Sequence, residues 1–317
     1  MEIKFKNKTV LVTGGAGFIG GHLVEELLNL GAKVIVLDIK FDPRSYFIIN
    51  KLSRKTIIKK IDITQLNKLS KIFTKYKIEY IFHLAALTIV LDAFEDPWKT
   101  FNTNIMGTVN ILELARQSKN IKAIIIASSD KAYGELNKKK YIESDPLKGT
   151  HPYDVSKSAT DLISYTYFNT YNLPIAITRF GNVYGEGDIN FTRLIPELMK
   201  SIINDETFKI RSNGKFIRDY IYVKDVVKGY LLLAFKIEKA KGNAYNFGSK
   251  DTLSVLDLIN IIEKSINKKI KYKIMNNAIN EIPFQSLNYS KVKKLGWKPT
   301  KELKKIIKEI FIWYKEN

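Results

Sequence analysis

Tyr153 and Lys157 are a candidate catalytic pair because their types and spacing could support proton transfer. Pro152 favours the first turn of a helix, and residues four positions apart share one helix face. A free phenol, with a pKa of about 10, is a poor base at neutral pH. A neighbouring ammonium favours the phenolate and would make Tyr153 a usable proton acceptor. The same spacing occurs by chance on helix surfaces, so the interpretation depends on where the pair lies in the fold.

Ser129, Asp130 and Lys131 form a second polar group, directly after the apolar run at residues 121–127. A carboxyl group beside an amine could supply an acid and a base to one reaction. Lys131 acts as a base only when it is neutral, which requires burial or nearby cations that lower its pKa. The alternative interpretation is a solvent-exposed turn with no catalytic role.

Gly14, Gly17 and Gly20 lie between a β-branched run and a segment with helical apolar spacing. In this setting the first glycine permits a tight turn, and the second lets backbone amides approach a pyrophosphate at the helix N-terminus. The third lets the helix pack on the strand. Asp38 ends the second predicted strand, where a carboxylate can bind the ribose hydroxyls of adenosine and repel a 2′-phosphate. The pattern therefore predicts a site for NAD in preference to NADP, and the positive nicotinamide ring would also favour the Tyr153 phenolate.

Two further strand ends are expected to contact the cofactor. Asp62 follows the third predicted strand and could reach the adenine amino group. Small residues after the fourth strand permit close approach of the backbone, and His83 at its end is interpreted as a structural histidine. The predicted cofactor-binding residues are Gly14, Gly17, Phe18, Ile19, Gly20, Asp38, Asp62, Ile63, Leu84, Ala85, Ala86, Tyr153 and Lys157.

Short apolar strands alternate with helical segments in the first half of the chain, which predicts right-handed βαβ units and a parallel sheet covered on both faces. The expected fold class is α/β, a Rossmann-type doubly wound parallel sheet with a smaller C-terminal substrate-binding lobe. We expect an NAD-binding domain at residues 1–180, to which a strand and helix near 219–248 return, and the lobe at 181–317. Strands are predicted at residues 8–13, 33–37, 56–61, 79–84, 121–127 and 174–179, and helices at 18–30, 70–76, 98–118 and 152–171.

The composition of the 317 residues excludes several kinds of site. There is no Cys, which excludes disulfides, thiol nucleophiles and Cys-based zinc sites, and the three His lie far apart, so no metal is predicted. The net charge of +20 comes mostly from Lys spread along the chain, which indicates a solvated basic surface and no nucleic-acid partner. No apolar run is long enough to cross a membrane, so we expect a soluble cytoplasmic protein with no membrane partner.

The order and spacing of the motifs resemble the extended short-chain dehydrogenase/reductases of the NAD-dependent epimerase/dehydratase family. The resemblance implies a Ser129–Tyr153–Lys157 triad, a tightly bound NAD, and a nucleotide-diphosphate sugar substrate in carbohydrate biosynthesis. It covers nearly the whole chain, and its further segments are residues 83–86, 104–108, 179–182, 218–223 and 295–299.

The resemblance also implies the reaction. Such enzymes first oxidise the C4 hydroxyl of the sugar, and Tyr153 would take the proton while NAD takes the hydride. A 4,6-dehydratase then removes the C5 proton, eliminates the C6 hydroxyl as water and returns the hydride to C6, whereas a 4-epimerase returns it to C4. Asp130 and Lys131 are similar to the pair in CDP-glucose 4,6-dehydratases, which implies a lyase with Asp130 as acid and Lys131 as base. Segments similar to those enzymes also occur at residues 152–158, 187–193 and 281–285.

Two alternatives remain at this stage. The glycine loop reads GGAGFIG, the version common to epimerases, so a UDP-glucose 4-epimerase-like isomerase is the first alternative. The second is a cofactor-sensing regulator or a nucleic-acid-binding relative without catalysis. Such proteins typically lack the Tyr153 and Lys157 pair.

The resemblance extends to the substrate and to assembly. Asn182 and Arg218 are expected to hold the substrate pyrophosphate, Arg218 through its bidentate guanidinium. Arg193 is expected on the nucleotide or phosphate side. The predicted helices at 98–118 and 152–171 resemble those that pair into a four-helix dimer interface, so a homodimer is expected.

Overall fold

Strands and helices alternate through the first half of the protein. The computed structural model describes residues 5–277 and 282–317. The strands of this part of the chain are β1 (Thr9–Thr13), β2 (Lys33–Asp38), β3 (Ile57–Lys60), β4 (Tyr80–His83), β5 (Ala123–Ala127), β6 (Ile175–Phe180), β7 (Asn182–Tyr184), β8 (Phe208–Ile210), β9 (Ile217–Tyr222), β10 (Asn243–Phe247), β11 (Asp251–Ser254), β12 (Tyr272–Ile274) and β13 (Phe284–Gln285).

Helices connect most of these strands. Two 3₁₀ turns cover Leu52–Lys55 and Asp130–Tyr133, and a π-helical turn covers Asn102–Met106. The α-helices of the described ranges are α1 (Phe18–Asn29), α2 (Tyr46–Ile49), α3 (Leu66–Lys75), α4 (Val90–Glu95), α5 (Pro97–Phe101), α6 (Gly107–Gln117), α7 (Pro152–Tyr171), α8 (Leu194–Ile203), α9 (Val223–Phe235), α10 (Ile237–Ala240), α11 (Val255–Ile266), α12 (Ser290–Lys294) and α13 (Leu303–Glu316).

The main sheet has seven parallel strands in the order β3-β2-β1-β4-β5-β6-β10. Successive side chains of a strand point to opposite faces. Val10 and Val12 of β1 therefore pack in the core that α1 and α9 cover, while Leu11 packs in the core beneath α3 and α6. Both faces are buried, and this explains the nearly continuous apolar strands. The predicted Rossmann-type α/β fold is confirmed.

A second, smaller sheet lies beyond the main one. Its central strand β9 pairs with β11, β13 and β7. Strands β8 and β12 form a separate two-stranded sheet. Helices α8, α11 and α13 contribute to a separate apolar cluster around this region. The chain then returns to the main sheet, because α9 packs on it and β10 pairs with β6. Residues 217–222, near the start of the predicted returning segment, lie instead in the second sheet; the lobe boundary at residue 180 stays a prediction.

Two helices differ from the periodicity-based prediction. The helix predicted at 70–76 covers Leu66–Lys75, so it begins one turn earlier than predicted, with Leu69 of that turn buried. The helix predicted at 98–118 is interrupted by the π-helical turn at Asn102–Met106. Within that turn the Asn104 amide exchanges two hydrogen bonds with the Leu87 backbone, at 2.7 and 3.0 Å. This tertiary contact accompanies the change of helical pitch and cannot be read from local spacing.

The helices of the described residues are all too short or too polar to cross a bilayer.

Asp225, in the first turn of α9, anchors the segment that leads into the last helix. Its buried carboxylate accepts hydrogen bonds from the backbone amides of Thr300 at 2.7 Å and Lys301 at 3.1 Å, and its carbonyl accepts one from the Trp297 indole at 2.9 Å. We expect Asp225→Ala to lower the free energy of unfolding by about 1.5–3 kcal/mol, because the amides of Thr300 and Lys301 lose a charged acceptor. Chemical denaturation measures the change.

Glu26→Ala is the control for this substitution, because Glu26 is exposed on α1. It should change the free energy of unfolding by no more than about 0.5 kcal/mol. An equal effect of the two substitutions would contradict the anchoring role of Asp225.

Candidate active site

The strand order reverses direction between β1 and β4, and their carboxyl ends border a crevice. In open parallel sheets, ligands bind at such a switch point. The glycine loop follows β1, and the segment beginning at Leu84 follows β4. Thr13 joins the two, since its carbonyl accepts the Leu84 amide at 3.1 Å and its hydroxyl accepts the Ala85 amide at 3.2 Å.

The three glycines of the loop have different surroundings. Gly14 has a φ of +69°, and a Cβ there would lie 2.8 Å from the Ala85 nitrogen; a Cβ on Gly20 would lie 2.1 Å from the Gly14 carbonyl oxygen. A Cβ on Gly17 would meet only that same oxygen, at 3.3 Å, and otherwise open space. Gly17 begins α1 without a side-chain cap, so the following amides are available to an anion. The loop fits the pyrophosphate of a dinucleotide.

Asp38 lies at the end of β2 and supports the same loop. Its carboxylate accepts hydrogen bonds from the amides of Ala16 at 3.1 Å and Ile39 at 2.8 Å. Burial raises the pKa of Asp38, and these backbone bonds oppose the rise. The carboxylate therefore stands beside the glycine loop, where the adenosine ribose of a dinucleotide would lie.

The remaining predicted cofactor residues line the ends of β3 and β4. Asp62 is half-buried and accepts the amide and hydroxyl of Thr64, both at 2.8 Å. Ile63 points into the core below the sheet, so only its backbone could face a ligand. Leu84, Ala85 and Ala86 are half-buried at the crevice.

His83 lies between two threonines. Its Nδ1 is 2.7 Å from the Thr13 hydroxyl, and its Nε2 is 3.0 Å from that of Thr108. Burial lowers the pKa of His83 to about 3, so the ring is neutral. Both ring nitrogens are engaged within the protein, which supports the structural interpretation of this histidine.

Tyr153 and Lys157 lie in the first turns of α7, with Pro152 at its first position. The Lys157 ammonium donates to the Ala127 carbonyl at 2.8 Å and lies 6.0 Å from the Tyr153 ring centroid. Burial lowers the pKa of Lys157 to about 8, although Asp161 one turn further on opposes this. Burial also raises the pKa of Tyr153 to about 12, against a hydrogen bond with Ser129. Burial thus opposes the phenolate in the protein without its cofactor, and the expected effect of the Lys157 ammonium on Tyr153 stays a prediction.

Ser129, Asp130 and Lys131 form a compact turn after β5. The Ser129 hydroxyl accepts the Lys131 amide at 3.2 Å and donates to the Asp130 carboxylate at 3.0 Å. Asp130 is only 4% exposed, and its Oδ2 lies 3.4 Å from Lys131 Nζ. Burial lowers the pKa of Lys131, partly opposed by the negative charge of Asp130. The solvent-exposed turn considered from the sequence does not fit the structure, because Asp130 is buried and Lys131 is half-buried.

Two further polar residues adjoin this turn and were not singled out from the sequence. Gln285 of β13 is fully buried, accepts a hydrogen bond from Lys131 Nζ, and donates from Nε2 to the Asp130 carbonyl at 2.9 Å. Asp154 of α7 is also buried, and burial raises its pKa to about 6, opposed by the charge of Lys131. Both lie within segments that carried the resemblance, but nothing in their spacing indicated contact with Lys131. Glu281 of the segment 281–285 lies outside the described residues.

Asn182 and Arg218 lie on paired strands of the second sheet. Asn182 begins β7, where it pairs with Tyr220 of β9, and Arg218 lies two residues before that tyrosine. The positive charge of Arg218 contributes to the lowered pKa of Lys131, so its guanidinium is near the Asp130 turn.

Arg193 connects the second lobe to the crevice. Its guanidinium lies 3.2 Å from the Asp188 carboxylate and donates to the Thr88 hydroxyl, also at 3.2 Å. Its positive charge opposes the raised pKa of Tyr153. Arg193 was expected on the nucleotide or phosphate side, and its charge also acts on Tyr153.

Within the described residues no three His, Asp or Glu side chains come together in a group that could hold a metal ion.

Comparison with known proteins agrees with this architecture. A family model described as GDP-mannose 4,6 dehydratase matches residues 11–310. The dTDP-D-glucose 4,6-dehydratase of Dictyostelium discoideum is 32% identical over 97% of this chain and 82% of that protein. The UDP-glucuronate 4-epimerase of Thermodesulfobacterium geofontis is 32% identical over 97% and 96%. The CDP-glucose 4,6-dehydratase of Salmonella typhimurium is 32% identical over 98% and 91%.

A solved structure shows the same fold. DesIV, a dTDP-glucose 4,6-dehydratase from Streptomyces venezuelae with NAD and TYD bound, superposes with a TM-score of 0.88. The two sequences are 26% identical, and the match covers 98% of this chain and 97% of DesIV.

These findings place the protein among the NAD-dependent epimerase/dehydratase enzymes, the class to which both the glycine crevice and the α7 pair point. Within that class the chain belongs to the GDP-mannose 4,6 dehydratase family, which confirms the resemblance inferred from the sequence. The named relatives divide between 4,6-dehydratases and 4-epimerases, so membership alone leaves the reaction between these two.

The buried ammonium of Lys157 should give the protein a measurable pH-dependent stability. Its pKa falls from 10.5 to about 8 on folding, so the unfolded chain binds more protons between those pH values. The resulting penalty on folding is complete below the lower value and disappears as the pH rises towards the higher one. As the pH rises from the lower to the higher of these values, the unfolding free energy of the wild-type protein should increase by about 3 kcal/mol relative to that of Lys157→Met. The figure follows from about 1.4 kcal/mol per pKa unit.

Urea denaturation of both proteins between about pH 7 and pH 10.5 measures this difference. Lys140→Met, at an exposed lysine, is the matched control and should follow the wild-type pH dependence. If the unfolding free energies of wild type and Lys157→Met change with pH in parallel, Lys157 keeps an ordinary pKa in the folded protein.

Proposed function

We propose that the protein is an NAD-dependent nucleotide-sugar 4,6-dehydratase, similar to CDP-glucose 4,6-dehydratase. The observation that carries this proposal is the pair of buried Asp130 and half-buried Lys131, which adjoins Ser129 and lies close enough to Tyr153 for the Asp130 charge to affect the phenol. An acid and a base at this position are what elimination of water requires beyond the initial oxidation.

The cofactor of the reaction is NAD, in agreement with the NAD bound in DesIV. The amides that follow Gly17 would hold its pyrophosphate, and Asp38 its adenosine ribose. When bound, NAD supplies the hydride acceptor and a positive ring. That charge offsets the burial that raises the pKa of Tyr153 to about 12.

Oxidation at C4 uses the residues of α7 and β5. Tyr153 accepts the proton of the C4 hydroxyl, and Ser129 hydrogen-bonds the phenol. Lys157 is held by the Ala127 carbonyl at 2.8 Å and contributes positive charge below its pKa of about 8. Proton transfer from the hydroxyl accompanies loss of the C4 hydride, so the sugar gains a ketone at C4 and an acidified C5–H.

Elimination then uses the Asp130–Lys131 pair. The step requires a neutral Lys131 and a proton on Asp130, carried on the carboxyl oxygen that does not accept from Lys131, so that Oδ2, 3.4 Å from Nζ, stays an acceptor. Lys131 accepts the C5 proton, Asp130 donates its proton to the departing C6 hydroxyl, and water leaves. Return of the hydride to C6 and a proton to C5 completes a reaction without net oxidation.

Substrate binding is assigned to the second lobe. Asn182 and Arg218 would hold the substrate pyrophosphate, and Arg193, beside Thr88, would face the sugar or phosphate. A CDP-sugar is the proposed substrate because the Asp-Lys pair is similar to that of the CDP-glucose enzymes, one of which is 32% identical to this chain.

A 4-epimerase is the second candidate, because the UDP-glucuronate 4-epimerase relative is also 32% identical. Such an enzyme needs the first oxidation but neither the acid nor the base of the elimination.

Mass spectrometry of the NAD-loaded protein with CDP-, UDP-, dTDP- and GDP-glucose distinguishes these reactions. We expect one of the four to lose a single water, with no net consumption of NAD. Asp130→Asn and Lys131→Ala should each lower that rate by about 100-fold or more, the range for loss of a general acid or base. An isomer of unchanged mass, formed equally well by both variants, would instead identify an epimerase.

Lys140→Ala is the control for these variants, because Lys140 is exposed and outside the site. Its rate should equal that of the wild type. A comparable loss in this variant would mean that the effect of Lys131→Ala is not specific to the site.

We also propose that the enzyme is a homodimer formed through α5, α6 and α7. Large apolar side chains are exposed on α5, on α7 and on the turn that joins α5 to α6: Trp98 (74%), Met106 (48%), Leu162 (60%) and Tyr165 (52%). Such a patch on neighbouring helices is typical of a protein–protein interface.

Leu162→Glu should convert the dimer to a monomer, because a charge would be desolvated in the interface. Size-exclusion chromatography with light scattering measures the mass. Ile312→Glu, at an apolar residue of α13 that is 44% exposed, should leave the dimer intact. A wild-type monomer would refute this assembly.

A further inference from the structure

Gln285 connects the two sheets at the catalytic turn. It belongs to β13 of the second sheet, yet its fully buried side chain reaches the turn that follows β5 of the main sheet. Both ends of its amide are engaged there, by Lys131 Nζ and by the Asp130 carbonyl. A buried polar side chain with two such partners constrains the geometry of the turn.

The orientation of the amide follows from its partners. The Asp130 carbonyl can only accept, so the amide group 2.9 Å from it is the Nε2 donor. The Oε1 acceptor therefore faces Lys131. Gln285 thus accepts from Lys131 Nζ through an uncharged oxygen.

Lys131 Nζ consequently has two directed contacts, to Gln285 Oε1 and to Asp130 Oδ2 at 3.4 Å. A neutral amine that donates both of its hydrogens has a single lone pair, whose direction the two acceptors determine. We propose that Gln285 is a positioning residue that, together with Asp130, aims the lone pair of Lys131 for proton abstraction. This inference rests on the proposed dehydratase function.

The absence of charge on Gln285 matters to the chemistry. The groups whose charges act on Lys131 are Asp130 of its own turn, Asp154 of α7 and Arg218 of β9. Burial lowers the pKa of Lys131, and the two carboxylates oppose this. A carboxylate in place of Gln285 would stabilise the ammonium further, whereas the amide orients the amine without doing so.

The strand register links this residue to the substrate side. Gln285 of β13 pairs with Arg218 of β9. The proposed pyrophosphate ligand and the residue that orients Lys131 are therefore neighbours across two short strands. A substrate held by Arg218 would therefore lie next to the part of the second sheet that positions Lys131.

Competitive acetylation of the NAD-loaded protein with acetic anhydride at several pH values, read by mass spectrometry, tests the inference. It reports the titration midpoint of Lys131 whichever nucleotide sugar is turned over. Gln285→Glu, which is nearly isosteric, should raise that midpoint by about one pH unit or more. The midpoint of Lys157 in the same sample should not move, and Gln117→Glu, at an exposed glutamine, should leave both unchanged.

Turnover of whichever of the four nucleotide glucoses loses water provides the second readout. Gln285→Leu should lower kcat about 10-fold or more, with KM within about threefold, because misorientation of the base affects the chemical step. Gln285→Glu should shift the pH dependence of kcat upward by the same amount as the Lys131 midpoint.

The outcomes separate this inference from the proposed function. An unchanged Lys131 midpoint in Gln285→Glu, or wild-type kcat in Gln285→Leu, overturns the role of Gln285 even when the protein is a dehydratase. If the Lys131 midpoint rises but the protein forms only an epimer, the contact between Gln285 and Lys131 is supported. The role of Gln285 in elimination is then overturned. If Gln285→Leu does not fold, Gln285→Glu alone tests the inference. The Lys131 midpoint and the pH dependence of kcat must then shift upward by the same amount, and unequal shifts overturn the role of Gln285.

Discussion

Burial of ionisable groups at the carboxyl end of β5 is the constraint on which the site depends. Desolvation disfavours the charged form of every group, so it lowers the pKa of Lys131 and Lys157 and raises that of Tyr153. In the protein alone, Tyr153 is therefore a neutral phenol, and the ammonium groups of Lys131 and Lys157 lose their protons more readily than free lysine does.

This constraint requires contacts between distant parts of the chain. Gln285 closes the Asp130 turn from the second sheet, and Arg193 reaches Thr88 across the crevice. Asp219 stabilises the same region, because its buried carboxylate accepts the Leu287 amide at 2.7 Å. The second lobe thus contributes to the burial of the Asp130 turn.

The shared first step explains why fold and sequence identity separate dehydratases from epimerases so poorly. Both reactions need the sheet, the cofactor crevice and the α7 pair, so a shared fold does not distinguish them. The difference resides in a turn of a few residues and in what surrounds it. For that reason the proposed function rests on the Asp130–Lys131 pair and not on the overall match to either group.

The sequence by itself determined the features that depend on neighbouring residues. The strand–glycine–helix order defined the crevice, the alternation of apolar runs defined the parallel sheet, and the spacing of Tyr153 and Lys157 placed them on one face of α7. Local periodicity and backbone sterics act over a few residues, so they can be read along the chain.

Only the tertiary structure decided which groups lose water and which distant residues meet. The contact of Asn104 with Leu87 accompanies a π-helical turn where a regular helix was predicted, and Gln285 meets Lys131 from 154 positions away. The raised pKa of Tyr153 likewise reflects burial, which no spacing reveals. Desolvation is the sum of contacts from the whole fold, and for that reason it could not be predicted from the order of the residues.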